Sequence, residues 1–345
     1  VRHFPTALPE PEITPLRGGP ALRWGVLAPG RIAGGFVWAL HQHTDQRVHA
    51  VASRDLARAR DFAATYGVPR AYGAYEQLVA DPGVDIVYVA SPHSEHKRQA
   101  LLAIAAGKHV LVEKPLALNA TEAREIASAA RAAGVFAMEA MWSRFFPQTL
   151  LIDQLLRDGV LGDIRLVTAD FGVRFDFDPE GRIFNPALGG GALLDIGVYA
   201  IWFAHFVLGA PTRVLATGGL AQTGVDGQTA LVLSTDTGAQ ALLHTTLFAD
   251  TPIEAAVSGT LARLQVDPRF MSPGGFTLRS HTSEARLRWT DPSALRGSEA
   301  LAYQASAVAQ HIADGLTESP LHPLDHTIAV LETIDAARRQ VGYAP

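Results

Sequence analysis

Glu113-Lys114-Pro115 closes a short apolar run, Val110-Leu111-Val112, with an acid, a base and a ring that ends regular backbone. A lysine at the carboxyl end of a sheet strand sits in a partly dry crevice, where burial lowers its pKa and suits it to proton chemistry. The same residues also describe an exposed ion pair before a strand-ending proline, and position alone does not choose between the two. Asp195 and Tyr199 offer a second constellation: they stand four residues apart in the apolar stretch 192–208 and share one face if it is helical. A phenol with a pKa of about 10 is a poor base at neutral pH, so it needs a cation such as Lys114 to lower it. Without one, Tyr199 is a packing aromatic beside Ile196, Ala200 and Phe203.

Other chemistries are narrowed by composition. The chain has no cysteine, which excludes disulfides, thiolate nucleophiles and cysteine-based metal sites. His93 and His96 lie three residues apart with no further clustered ligand, so no metal is expected. A net charge of -5, with Lys and Arg scattered, disfavours a nucleic-acid partner. A hydrophobic content of 48% with 18% charged residues and no long uninterrupted apolar run reads as a soluble protein without a membrane span. A length of 345 residues suggests two domains with a cleft for a small molecule. The absence of cysteine fits a reducing cytoplasm. Five prolines in the first twenty residues read as an extended arm over 1–20 rather than a targeting segment.

The elements that must position these residues follow a strand-helix rhythm at first. Residues 23–27 form an apolar strand, followed by Ala28-Pro29-Gly30-Arg31-Ile32-Ala33 and a helix over 32–43. This is the phosphate-binding turn of a doubly wound fold with its first glycine replaced by Ala28. Gly30 lets the backbone approach a pyrophosphate, Ala28, Arg31 and Ile32 are expected to bind the cofactor beside it, and Ala33 lets helix and strand pack closely. The second strand, 48–52, ends in Ser53-Arg54 where an acid would hold an NAD ribose. A hydroxyl and a guanidinium can bind a 2'-phosphate instead, which favours NADP, with NAD as the alternative. The bland reading is that Arg54 begins a solvated helix face with Arg58 and Arg60. A strand over 86–89 places Ser91, His93 and His96 at the carboxyl edge of the sheet, where ligands of this architecture bind.

After about residue 141 the rhythm gives way to alternating segments at 164–175, 212–220, 229–234, 240–247, 253–257, 263–266, 276–279 and 285–289, candidate strands of a second sheet. The organisation expected is an arm over 1–20, a dinucleotide-binding α/β domain over 21–141, and a substrate-binding α+β domain over 142–345.

The turn, Ser91-Pro92-His93-x-x-His96, Ala106-Gly107-Lys108-His109-Val110 and Glu113-Lys114-Pro115 together resemble the glucose-fructose oxidoreductase, inositol dehydrogenase and MocA (Gfo/Idh/MocA) family. The resemblance continues through 138–147 and 189–199 and covers nearly everything after residue 20. The Trp142-x-Arg144-Phe145-Phe146 wording is most similar to the branch of dimeric dihydrodiol and NADP-dependent D-xylose dehydrogenases. It implies a Rossmann domain followed by a large, mostly antiparallel open sheet with helices on one face, the other face forming a homodimer or homotetramer. It implies that Lys114 and Tyr199 handle the proton while hydride moves between nicotinamide and a sugar, polyol or cyclic diol. Asp195 would position substrate hydroxyls, Glu113 would touch the cofactor or orient the site, and Pro115 would fix the turn through a cis bond. Trp142, Arg144 and Phe146 fall near the substrate pocket, with Arg182 and Asn185 as further contacts. Two other functions share these motifs: a sugar-sugar oxidoreductase with tightly held NADP, and a non-catalytic ligand sensor.

Overall fold

A computed structural model describes residues 4–343 as two compact units. One comprises residues 14–145 and 295–328. The other comprises 146–294 together with the chain up to Ile13 and from Ala329 onward. The linear division expected above therefore differs from the spatial one, because the chain returns to its first unit after residue 294. Residues 1–3 of the expected arm lie outside the described residues.

In the first unit the elements run β1 (Arg23–Leu27), α1 (Arg31–His43), β2 (Arg47–Ala52), α2 (Leu56–Tyr66), β3 (Arg70–Tyr72), α3 (Tyr75–Val79), β4 (Ile86–Val89), α4 (His96–Ala105), β5 (His109–Glu113), α5 (Ala120–Ala133) and β6 (Ala137–Ala140). All six strands are parallel, in the order β3-β2-β1-β4-β5-β6. The order reverses beside β1, so β1 and β4 flank the crevice where such sheets bind ligands. Local chemistry sets the helix ends. Asp55 caps α2 by accepting from the amides of Ala57 and Arg58, and Gly67 ends it in the left-handed region. Asn119 and Gly134 do the same for α5.

The second unit holds α6 (Pro147–Arg157), β7 (Ile164–Gly172), α7 (Val198–Leu208), β8 (Arg213–Leu220), β9 (Asp226–Ser234), β10 (Gln240–Thr246), β11 (Ala255–Gly259), β12 (Ala262–Val266), β13 (Gly275–Ser280) and β14 (Arg286–Thr290). Its eight strands pair in the order β14-β13-β12-β11-β7-β10-β9-β8, antiparallel except for β7 with β10. Alternation along β10 buries Ala241 and Leu243 against the helix side, where α7 packs on β7 and β10, and leaves Leu242 on the open side.

Two features depart from the sequence reading. The helix expected over 192–208 begins as a π-helix, Leu193–Gly197, before α7. By length and composition the segment Pro186–Leu208 could cross a membrane, but 83% of its apolar window is buried, as befits a core helix that is hydrophobic all round. The second departure is α8 (Leu301–Ala313), which joins the first unit and packs on α1. Its small and apolar residues surround it and leave no helical stripe to read. The last helix, α9 (Leu324–Gln340), begins in the first unit and ends in the second.

Candidate active site

The dinucleotide end of the first unit is built around the start of α1. No side chain caps this helix and its first turn holds no acid, so its amides are free to meet an anion. Gly30, the N-cap residue, has an ordinary φ of -125°, and an added Cβ would meet nothing of this chain closer than 3.9 Å. Neither backbone strain nor neighbouring atoms explain its lack of a side chain, whereas close approach of a phosphate does. Ala28 is left-handed at φ 62°, a conformation in which the missing glycine would be unstrained. Arg31 and Ile32 are exposed beside it.

Ser53 is buried at the end of β2, with its hydroxyl on the amide of Asp55, and Arg54 is exposed. Arg58 is the residue that sequence alone undervalues. Its Nε and Nη2 donate to the carbonyl of Pro29 at 3.2 and 2.9 Å, so a second guanidinium lies against the turn although the residue is exposed. At the end of β4 the Ser91 hydroxyl is buried with no partner, an orphaned group of the kind a bound ligand satisfies. His93 is buried nearby, its ring centroid 5.6 Å from that of His96. The turn, the orphaned hydroxyl and the arginine together fit a dinucleotide.

Lys114 follows β5, half-buried, in a turn whose polar groups are tied down by buried side chains. The Lys114-Pro115 bond is cis, as the resemblance implies. The Pro115 carbonyl meets His96 Nδ1 at 2.8 Å, and His96 Nε2 meets the Ser91 carbonyl at 2.9 Å. His96 thus joins the ends of β4 and β5 and has no accessible surface to offer a cofactor. Burial pushes its pKa down while the two carbonyls push it up, and a neutral ring can donate to only one of them. The Leu116 amide donates to Glu139 Oε1 at 2.9 Å. Glu113 accepts from the Tyr88 hydroxyl and from the Lys114 amide, so it orients the turn. Burial pushes the Glu113 carboxyl up, against the pull of Tyr88 and Lys114.

The second unit presents Asp195 on the π-helix and Tyr199 at the start of α7, both buried. The Tyr199 ring lies 5.8 Å from that of Phe171. Asp195 is held by Arg182, with Nη1 to Oδ1 at 2.6 Å, while the guanidinium stays partly open to solvent. Two expected contacts of the pocket are thus one ion pair. Behind them Asp226 accepts from the Leu193 amide at 2.6 Å, at the first residue of the π-helix. Its Oδ1 lies 3.3 Å from Arg338 Nε, a charge contact without hydrogen-bond geometry. Burial raises the Asp226 carboxyl to about 6 despite Arg338.

The other expected substrate residues fall differently. Asn185 is occupied as a helix cap on the Ala187 amide, and Phe146 is fully buried at the start of α6. Arg144 is buried with Nε on the Leu321 carbonyl at 2.8 Å, and Trp142 is half-buried beside it. A depression of about 540 Å³ lies on the open face of the second sheet, around Leu215, Leu242 and His244. It includes none of the residues expected to bind cofactor or substrate, so it is not the chemical site.

Residues 22–141 match the oxidoreductase family with an NAD-binding Rossmann fold, and residues 149–265 match the GFO/IDH/MocA C-terminal domain. The chain belongs to the Gfo/Idh/MocA oxidoreductase family. It is 37% identical over 328 residues to a trans-1,2-dihydrobenzene-1,2-diol dehydrogenase of Mus musculus, covering 93% of this chain and 97% of that one. Among solved structures it is similar to an aldose-aldose oxidoreductase of Caulobacter crescentus, complexed with glycerol, at a TM-score of 0.83 and 26% identity over 93% of this chain and 97% of that one. It is also similar to a 3-ketoreductase of Actinomadura kijaniata, in complex with NADP and TDP-benzene, at 0.79 and 29% over 93% and 98%. As a family member the chain is an oxidoreductase that uses a nicotinamide dinucleotide and acts on CH-OH groups.

Proposed function

We propose that the chain is an NADP-dependent dehydrogenase of a secondary alcohol or hemiacetal in a sugar, polyol or cyclic diol. The observation that carries this reading is the Lys114 turn, which holds one ammonium at the carboxyl end of β5 through buried hydrogen bonds. Bound nicotinamide supplies the hydride acceptor or donor. The uncapped start of α1 and Gly30 hold the pyrophosphate, and the Ser91 hydroxyl and His93 line the nicotinamide side. Ser53, Arg54 and Arg58 hold the 2'-phosphate, since two guanidinium groups favour a dianion that a carboxylate would repel. Lys114 polarises the substrate oxygen, and Tyr199 exchanges its proton. Because Asp195 and Arg182 form one pair, they contact substrate hydroxyls together, as acceptor and donor, and Trp142 offers an apolar face to the ring.

The relatives' names support this substrate class, from dihydrodiol to aldose. A reduction assay with NADP and NAD over aldoses, inositols, anhydrosugars and trans-diols tests it. Turnover with at least one class and a preference for NADP are expected. Arg54→Ala and Arg58→Ala should each weaken NADP about 10- to 100-fold and leave NAD within a factor of about three. Equal use of both cofactors by the wild type removes the NADP assignment. The aldose-aldose relative motivates a second reading, in which NADP stays bound between two sugar half-reactions, and release of cofactor from the purified protein on denaturation distinguishes it.

We also propose that two copies pair through the open face of the second sheet, where Leu215 and Leu242 are each nearly half exposed. Leu242→Glu should then halve the mass seen by light scattering, and a wild-type monomer contradicts the pairing.

A further inference from the structure

The segment that follows α8 within the first unit contributes nothing to the reaction as proposed, yet it delivers two polar side chains to the back of the Lys114 turn. Glu139, at the end of β6, is buried. Its Oε1 accepts from the Leu116 amide at 2.9 Å, and its Oε2 meets His322 Nε2 at 2.9 Å and the Thr327 hydroxyl at 3.1 Å. His322 and Thr327 are each only 1% exposed, so water does not substitute for either. The segment is itself secured. Ser319 accepts from the amides of Leu321 and His322, Arg144 holds the Leu321 carbonyl, and Arg131 pairs with Glu318 and Asp325.

A carboxylate taken out of water costs several kcal/mol unless donors and charge compensate it. Here three donors converge on one carboxylate. Charged and titratable groups in the same part of the first unit include Glu113 on β5, which takes the Tyr88 hydroxyl from β4, His96 from α4, and Glu139 from β6. Lys114 and Glu139 both act electrostatically on Glu113 and on His96, so they belong to one charge cluster.

We propose that Glu139, His322 and Thr327 form a buried brace that fixes the Lys114-Pro115-Leu116 turn and sets the charge environment of the Lys114 ammonium. They are positioning residues that act through Lys114 and touch no substrate. The inference rests on the reading of Lys114 given above, but its test does not need turnover. Reductive methylation of Lys114 in the full-length protein without cofactor, followed against pH by peptide mass spectrometry, reports the amine directly. Glu139→Gln preserves shape and the acceptor for Leu116 while removing the charge. It should speed labelling of Lys114 near neutral pH by about tenfold, as loss of one opposite charge predicts. Thr327→Val and His322→Asn, which leave the carboxylate in place with one donor fewer, should give smaller changes in the same direction. In steady state all three should lower kcat with little effect on KM for the dinucleotide, and His322→Asn should add nothing to Lys114→Ala. Wild-type labelling profiles in folded Glu139→Gln and Thr327→Val overturn the brace. If Glu139→Gln does not fold, wild-type profiles in Thr327→Val and His322→Asn overturn it equally. Shifted labelling combined with normal turnover of Lys114→Ala upholds the brace and overturns the role of Lys114 in the reaction.

Discussion

The turn at Lys114 and the helix start at Asp195 and Tyr199 carry the proposed chemistry of the two units, and they are held in opposite ways. Around Lys114, buried side chains from α4, β4 and β6 take the main-chain groups of the turn and the carboxylate beside it. Around Asp195, one partner is Arg182, whose guanidinium remains partly in solvent, and the helix starts in a π turn over a buried carboxylate with a raised pKa. On the proposed function, the difference would put the fixed half of the chemistry in the cofactor unit and the adjustable half in the sheet unit. A nicotinamide is the same in every turnover, whereas hydroxyl patterns differ among sugars and diols, so adjustable contacts suit the substrate side.

The comparison breaks most visibly at its rigid end. Lys114→Ala should lower kcat by about 10²- to 10⁴-fold, the usual weight of a group in proton transfer, while thermal stability changes little because the turn is held by its neighbours. A stability loss matching the activity loss would show that Lys114 is part of the scaffold.

The adjustable end responds to pH. A carboxyl raised to about 6 in the folded state binds its proton more tightly folded than unfolded. Its stabilising contribution is therefore full below the unfolded pKa and lost as pH rises through about 6. His205 on α7, lowered to about 4 by burial, acts in reverse: its contribution is full above the unfolded value and lost as pH falls through about 4. The two oppose each other in the wild type. Asp226→Asn should unmask His205, so the unfolding free energy of wild type minus that of the variant should rise by about 2–3 kcal/mol from pH 7 to pH 4. A gap that stays constant in urea titrations contradicts the raised carboxyl.

A smaller effect is expected at the pair whose guanidinium is partly in solvent. Arg182→Gln should cost no more than about 1 kcal/mol of stability. It should lower kcat/KM by roughly tenfold for polyhydroxylated substrates, chiefly through KM, as loss of a ground-state contact does. An equal loss for substrates with one hydroxyl would remove Arg182 and Asp195 from hydroxyl recognition.

The sequence disclosed most where function is local. The glycine turn, Ser53-Arg54, Ser91 to His96 and Glu113-Lys114-Pro115 each sit at a strand end, and the strand-helix rhythm marks the first sheet while alternation marks the second. It disclosed least where partners are distant. Glu139 and His322 lie 183 residues apart, and nothing local in either stretch announces the pairing. Asp195 and Arg182 were both visible, but only the fold makes them one pair. Arg58 reads as the solvated face of a helix until its guanidinium is seen on Pro29. The π turn before α7 leaves the same apolar pattern as an ordinary helix.

The most direct test of the central claim, the proposed role of the Tyr199 phenol in proton exchange, is turnover of Tyr199→Phe on the best substrate found, alongside its cofactor affinity. The account predicts a fall in kcat of about 10²-fold or more with the dissociation constant for NADP within a factor of about three of wild type. Near-normal turnover in Tyr199→Phe would contradict it.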